Sequence, residues 1–146
     1  MAQGHDLGTT DLTRCSPGTS GSSDGWFREA GYVPSSSHAR ELAHGFLERL
    51  RERPAARSAD AVMLVVSELV TNALVHAGGV TWFRIAAHPD GVEVTVRDRS
   101  RVPPRERISD PKQPGGFGWP MVKRLCSEVG VALRPSGKDV RALVPV

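Results

Sequence analysis

Apolar side chains recur at helical spacing in two neighbouring segments of the chain. In residues 35–53 they return every three or four positions, charged residues lie between them, and Pro54 ends the pattern. In residues 58–77 the apolar surface is wider, and the pattern stops at Gly78-Gly79. The spacing therefore predicts two helices, with the second buried between a sheet and another layer.

The second half of the chain has the pattern of two hairpins. Residues 80–88 and 92–98 favour strands, and the second of them alternates strictly between apolar and polar positions. Residues 131–134 and 140–144 predict another hairpin, and a helix from Trp119 to about Val129 precedes it. Strands grouped in hairpins, with helices elsewhere, predict an α+β fold with an antiparallel or mixed sheet and helices on one face.

Length and composition indicate a single domain. The chain has 146 residues, and its 39% apolar and 24% charged content is ordinary for a globular protein. Residues 1–24 are rich in Gly, Ser, Thr and Asp, and they offer too little apolar surface to offset the entropy of ordering. We therefore expect a disordered tail at 1–24 and one domain at 25–146, which begins with a short edge strand between Trp26 and Val33.

Charge and targeting signals bear on location and partners. The net charge is +3, and the basic residues are scattered, so no nucleic-acid surface is indicated. Cys15 and Cys126 lie far apart with no metal-type spacing, which favours free thiols in a reducing compartment. We find no signal peptide and no stretch of transmembrane length, and we expect a cytoplasmic protein without a membrane partner.

The segment SELVTNALVHAGG carries three polar residues at intervals of four. Glu68, Asn72 and His76 fall on one stripe of the second helix, inside an otherwise apolar run. Such a stripe is also compatible with an ordinary solvent-facing surface. A carboxylate and an amide oxygen beside an apolar face suit a polar ligand, with Asn72 placed to hold Mg²⁺ and Glu68 placed to accept a proton. His76, at the end of the helix, is expected to cap carbonyl groups and has no catalytic role.

Two further features follow the stripe in chain order. Asp98 ends a strand and can accept a hydrogen bond from an exocyclic amine such as N6 of adenine. Residues 99–115 form a long, proline-rich loop of the kind that serves as a lid. Glycines at 115–118 then open the helix at Trp119, where backbone N–H groups can approach phosphates. These glycines follow a loop and not a strand, so they are not a dinucleotide fingerprint.

In this order the motifs resemble those of the GHKL-type ATPases, which have the Bergerat ATP-binding fold. The chain is most similar to the small bacterial anti-sigma-factor serine/threonine kinases over about residues 35–146. SELVTNALVHA resembles the N box, Asp98-Arg99-Ser100 the first glycine box, and Gly116 to Val122 the second. The resemblance implies a two-layer α/β sandwich that binds ATP and Mg²⁺.

The resemblance also assigns roles to residues. Glu68 takes the general-base position and Asn72 the magnesium position. The implied ATP-binding residues are Asn72, Asp98, Ser100, Gly115, Gly116, Phe117, Gly118 and Trp119. Two departures stand out: Ser100 and Val102 replace glycines of the first box, and Asp139 stands where relatives often have a Thr beside the adenine site.

Three functions follow from these motifs. The first is a serine/threonine kinase that phosphorylates an anti-sigma-factor antagonist of the STAS type and sequesters a sigma factor, with a homodimer as a plausible assembly. The second is a non-catalytic, ATP-gated protein-binding regulator. The third is the catalytic domain of a histidine kinase, which is disfavoured because no helix pair with an acceptor histidine precedes the domain.

Overall fold

The computed structural model describes the backbone of residues 13–16 and residues 26–104 and 118–146 in full. Three helices and six strands lie in these ranges. They are β1 (Thr13–Ser16), β2 (Phe27–Ala30), α1 (Ser36–Glu48), α2 (Ala56–His76), β3 (Val80–His88), β4 (Gly91–Asp98), α3 (Gly118–Leu125), β5 (Glu128–Arg134) and β6 (Gly137–Val144). The strands form one sheet in the order β1-β2-β3-β4-β6-β5, and every named pair is antiparallel. The predicted α+β class is confirmed.

The core lies between one face of the sheet and the helices. Phe83, Val96 and Val140 are neighbours across β3, β4 and β6, and all three are buried. Because side chains alternate along a strand, this register directs every second residue toward the helical layer. Helix α2 contacts β3, β4 and β6 on one side and both other helices on the other. Each large apolar side chain buried there contributes about 1.5–3 kcal/mol.

The ends of the first two helices follow from local chemistry. The Ser35 hydroxyl accepts a hydrogen bond from the His38 N–H at 3.1 Å and caps α1. At the end of α2, Gly78 and Gly79 have φ angles of 75° and 115°, and the Gly79 N–H donates to the Ala73 carbonyl at 2.9 Å. Only glycine adopts these angles at little cost, so the chain turns there from α2 into β3.

Two boundaries differ from the sequence prediction. Helix α3 ends at Leu125, and β5 already begins at Glu128, whereas we expected the helix to continue to Val129. The Ser127 N–H donates to the Leu143 carbonyl at 2.9 Å. Because this residue already pairs with β6, the helix does not extend through it. Within the expected tail 1–24, Thr13–Ser16 forms a strand paired with β2, and β2 is therefore not at the edge of the sheet.

One helix has the composition of a membrane span, against our expectation. Among the described ranges, Ala56–His76 alone is long and apolar enough to cross a bilayer. Core helices of soluble domains meet the same criteria, and Val62, Val66 and Val70 on this helix are fully buried in the domain core. We therefore interpret its hydropathy as that of a helix covered by a sheet and two other helices.

Candidate functional site

A cleft of about 250 Å³ opens between α2 and the end of the sheet where β4 stops and β6 begins. Its walls come from the second half of α2, the segment after β4, the start of α3 and the start of β6. The lining residues are Leu69, Asn72, Ala73, His76, Ala77, Asp98, Ser100, Val102, Pro103, Pro104, Trp119, Lys138 and Val140. The cleft combines a largely apolar wall with a few polar groups, as small-molecule sites generally do.

Asp98 stands at one end of this cleft in a buried ion pair. The Lys138 Nζ lies 2.9 Å from Oδ2 and 3.0 Å from Oδ1 of Asp98, and the two side chains are 5% and 3% exposed. Asp98 and Lys138 are paired across β4 and β6, on the same face as Val96 and Val140. The strand-end carboxylate therefore faces the cleft, as predicted, but it already has a charged partner.

The segment after Asp98 is fixed by a local turn. The Ser100 N–H donates to Asp98 Oδ1 at 2.8 Å, and the Ser100 hydroxyl accepts from the Val102 N–H at 3.1 Å. These two bonds hold the segment that follows Asp98 beside the cleft. Ser100 thus lines the cleft as predicted, and it acts on Asp98 through its backbone. Of the predicted lid 99–115, residues 105–115 lie outside the described residues.

Asp139, which the resemblance aligns with a Thr beside the adenine site of relatives, does not line the cleft. Its Oδ1 accepts from Arg97 Nε at 2.7 Å and its Oδ2 from Arg134 at 3.2 Å, on the outer face of the sheet. The guanidinium of Arg97 also stacks on Trp82, 4.7 Å from the ring centre. The physical reason is the alternation of β6, which directs Asp139 away from the helices and directs its neighbour Lys138 toward them.

Glu68 lies one turn before Asn72 on α2, against the first residue of α3. A methyl group at Gly118 would overlap the Glu68 carboxylate, so the two elements meet in close contact there. Burial raises the pKa of Glu68 above its usual value, because desolvation disfavours the charged form. Its Oε2 is buried and has no hydrogen-bond partner among the described residues. A carboxylate in this state is suited to receive a proton or a donor from a ligand.

Asn72 and His76 continue the same stripe into the cleft, and both line it. Of the three residues of the predicted stripe, Asn72 and His76 therefore line the cleft, and Glu68 contacts the first residue of α3. Within residues 26–104 and 118–146, no group of three or more His, Cys, Asp and Glu side chains could hold a metal ion. The Asn72 amide oxygen can still serve as a ligand of Mg²⁺. In nucleotide sites this ion usually takes few ligands from the protein, and phosphate oxygens and water supply the others.

The predicted phosphate-binding glycines are only partly described. Gly115, Gly116 and Phe117 lie outside the described residues. Gly118 is buried at the start of α3, and Trp119 lines the cleft. The start of α3 therefore borders the site, with Gly118 against Glu68 and Trp119 in the wall of the cleft.

Lys138 is the residue that the sequence analysis missed. A signal for it was present, because Val140, Ala142 and Val144 alternate as core residues and continue that face back to position 138. A lysine on a buried face next to a turn requires a carboxylate partner, and the strand-end Asp98 supplies one.

Comparisons with known proteins identify the family of the chain. Residues 34–144 match the sequence profile of the Histidine kinase-like ATPase domain, which confirms the family resemblance predicted from the motifs. Among solved structures, the chain is similar to the blue-light activated histidine kinase of Erythrobacter litoralis EL346, with 22% identity and a TM-score of 0.47. That similarity covers 77% of this chain and 42% of the kinase, so the chain spans less than half of that protein. No curated protein matches the chain.

Proposed function

Because the chain belongs to the histidine kinase-like ATPase domain family, we propose that it is an ATP-binding serine/threonine kinase of the anti-sigma-factor type. It would phosphorylate a STAS-type antagonist and sequester a sigma factor. Family membership supports the coarser part of this statement, an ATP-binding regulatory domain with kinase or ATPase activity. The finer part rests on Glu68, a half-buried side chain one helical turn from Asn72, whose buried Oε2 lacks a hydrogen-bond partner among the described residues.

In this proposal, Asp98, Asn72 and the start of α3 bind different parts of the nucleotide. Asp98 accepts a hydrogen bond from the exocyclic amine of adenine, and the apolar wall beside Val140 and Trp119 covers the ring. The Asn72 amide oxygen would hold Mg²⁺, and that ion would supply positive charge to offset the negative charge of the phosphates. The start of α3 directs N–H groups toward the same anionic region.

Glu68 completes the reaction as the general base. It takes the proton of a serine or threonine hydroxyl as the hydroxyl oxygen forms a bond to the γ-phosphorus, and the bond to the bridging oxygen of ADP breaks. Its raised pKa improves it for this role, because a base works best when its pKa approaches the working pH. Phosphoryl transfer depends mainly on positioning and charge neutralisation, so a domain of this size can carry it out.

A second function has its own support. The Asp98 carboxylate is already paired with Lys138, and a hydrogen bond from Ser100 fixes the segment after it. In this alternative the protein is an ATP-gated binding regulator: nucleotide binding and release change the surface that binds a partner protein, and no phosphate is transferred. For both functions we propose a cytoplasmic protein that acts as a homodimer on protein partners, without a nucleic acid or a membrane.

Labelled phosphate transfer separates the two functions. The protein is incubated with γ-labelled ATP, Mg²⁺ and a STAS-type antagonist, and the acceptor residue is identified by phosphoamino-acid analysis. The kinase proposal expects label on serine or threonine of the antagonist. ATP binding without transfer, together with ATP-dependent capture of a sigma factor or antagonist, would leave the regulator as the function.

A further inference from the structure

The polar end of the cleft offers a donor and an acceptor side by side. Asp98 and Lys138 both line the cavity, and they are among the few polar residues of the described chain that are buried. Lys138 Nζ also lies 3.3 Å from the Ser100 carbonyl, and the Ser100 N–H donates to Asp98 Oδ1. These contacts hold an ammonium group and a carboxylate in one place at the wall of the cleft.

Among the described residues, these contacts do not use all the hydrogen-bonding capacity of either group. A carboxylate has about four lone-pair sites, and the contacts with Lys138 and Ser100 use two on Oδ1 and one on Oδ2. An ammonium group has three N–H donors. When one of them is shared between the two Asp98 oxygens and another reaches Ser100, a third stays available. A ligand in the cleft thus meets one open acceptor and one open donor.

This combination matches both common edges of a purine. Adenine presents a 6-amino donor beside the N1 acceptor, whereas guanine and hypoxanthine present the O6 acceptor beside an N1–H donor. A carboxylate alone can accept from either the 6-amino group or N1–H, but it offers no donor to O6, so it favours the amine of adenine. With Lys138 beside Asp98, the N1–H can bind the carboxylate and O6 can bind the ammonium group.

We propose that the cleft binds 6-oxopurine nucleotides as well as adenine nucleotides, and that Lys138 determines this breadth. The inference rests on the proposed function, since it requires that a nucleotide base lies against Asp98. Lys138, which lies outside the sequence motifs, would thus set the base selectivity of the cleft. Lys138 acts through direct contact with O6 or N1 of the base, while Ser100 positions it.

The test on the wild-type protein uses a series of nucleotides that differ only at the 6-position edge. Dissociation constants are measured by calorimetry for ATP, inosine triphosphate and purine riboside triphosphate, each with Mg²⁺. We expect ATP and inosine triphosphate to bind within about tenfold of each other, and purine riboside triphosphate to bind more weakly than either because it lacks a 6-substituent. A preference for ATP over inosine triphosphate greater than about tenfold would overturn the proposal.

A variant tests the role of Lys138 itself. Lys138→Thr removes the ammonium donor, so we expect the preference for ATP over inosine triphosphate to rise by about 10- to 100-fold. Arg141→Thr is the matched control, since Arg141 lies on the same strand but is exposed and paired with Glu93 on the outer face. Its base preference should equal that of the wild type. An unchanged preference in folded Lys138→Thr overturns the assignment, and if that variant does not fold, the wild-type series decides.

The outcomes separate this inference from the proposed function. Tight binding of ATP with rejection of inosine triphosphate contradicts the role of Lys138 and leaves the ATP site intact. Failure of the wild type to bind any of the three nucleotides contradicts both.

Discussion

Two ion pairs bridge β4 and β6 at adjacent positions, and they face opposite sides of the sheet. Asp98 and Lys138 form the inner pair, with side chains 3% and 5% exposed at the wall of the cleft. Arg97 and Asp139 form the outer pair, with side chains 23% and 20% exposed and with Trp82 and Arg134 beside them. A shift of one residue along each strand separates a pair that faces the cleft from a pair on the outer face of the sheet.

The comparison shows how position decides the consequence of the same interaction. An ion pair near solvent contributes about 0–1 kcal/mol, because water screens it and solvates either partner alone. A buried pair contributes little more to net stability, but the loss of one partner leaves a charge without solvent or counter-ion. Substitution of one partner of the inner pair is therefore expected to destabilise the fold. The same substitution in the outer pair is expected to change stability little.

The largest expected effect comes from the cleft side, at Glu68. Glu68→Gln keeps the shape of the side chain but cannot accept a proton, so transfer to the antagonist should fall by about 10²- to 10⁴-fold with ATP binding near the wild-type value. Glu93→Gln is the control, because Glu93 lies on the outer face, paired with Arg141. Transfer at the wild-type rate in Glu68→Gln, measured with labelled ATP, would exclude Glu68 as the base.

Truncation of the two aspartates tests the comparison itself. Asp98→Ala leaves Lys138 buried and unpaired, so urea unfolding should show a loss of about 3–5 kcal/mol, against about 1 kcal/mol or less for Asp139→Ala. Under conditions where both variants are folded, ATP affinity should fall about 10- to 150-fold in Asp98→Ala and stay unchanged in Asp139→Ala. Equal losses of stability and of ATP affinity in the two variants would show that the ion pairs on the inner and outer faces of the sheet have the same importance.

Magnesium dependence should be a smaller effect that is specific to Asn72. Asn72→Ala removes the amide oxygen that lines the cleft, and ATP affinity measured with Mg²⁺ should fall about 3- to 10-fold, the size of one polar contact. A chelator should weaken ATP binding by the wild type and have little effect on this variant. Indifference of the wild type to Mg²⁺ would contradict the metal role.

The smallest effect concerns pH and stability. The pKa of Glu68 is raised by burial, so the folded state binds more protons than the unfolded state above pH 4.5. The stability of the wild type relative to Glu68→Gln should therefore fall as pH rises from 4.5 through the raised pKa, and then level off. Chemical unfolding of both proteins at a series of pH values measures this difference. A relative stability that rises over that range would mean that burial does not raise the pKa.

The sequence predicted the fold and one wall of the site well, because both depend on local periodicity. Intervals of four placed Asn72 and His76 on one stripe, and that stripe lines the cleft. Alternation predicted the strands Val80–His88 and Gly91–Asp98 within one residue. The extent of α3 was missed, because pairing between β5 and β6 at Ser127 overrides the helical pattern there.

The pairing across β4 and β6 was harder to predict. Whether Lys138 or Asp139 faces the cleft depends on the register of β6 against β4, which joins residues about 40 positions apart. The family resemblance associates Asp139 with the adenine site, whereas the alternation of Val140, Ala142 and Val144 places Lys138 on the buried face. Physical periodicity was the better guide at this position, since a face of the sheet is fixed by its core residues.

We propose that a nucleotide occupies the cleft on the inner face of the sheet, and nuclear magnetic resonance of the ¹⁵N-labelled full chain, titrated with ATP and Mg²⁺, can detect it there. We expect saturable shifts of the amides of Asn72, Asp98, Ser100 and Trp119, with little change at Arg84 and Glu93 on the outer face. No saturable shift at millimolar ATP, or shifts centred on the outer face, would contradict it.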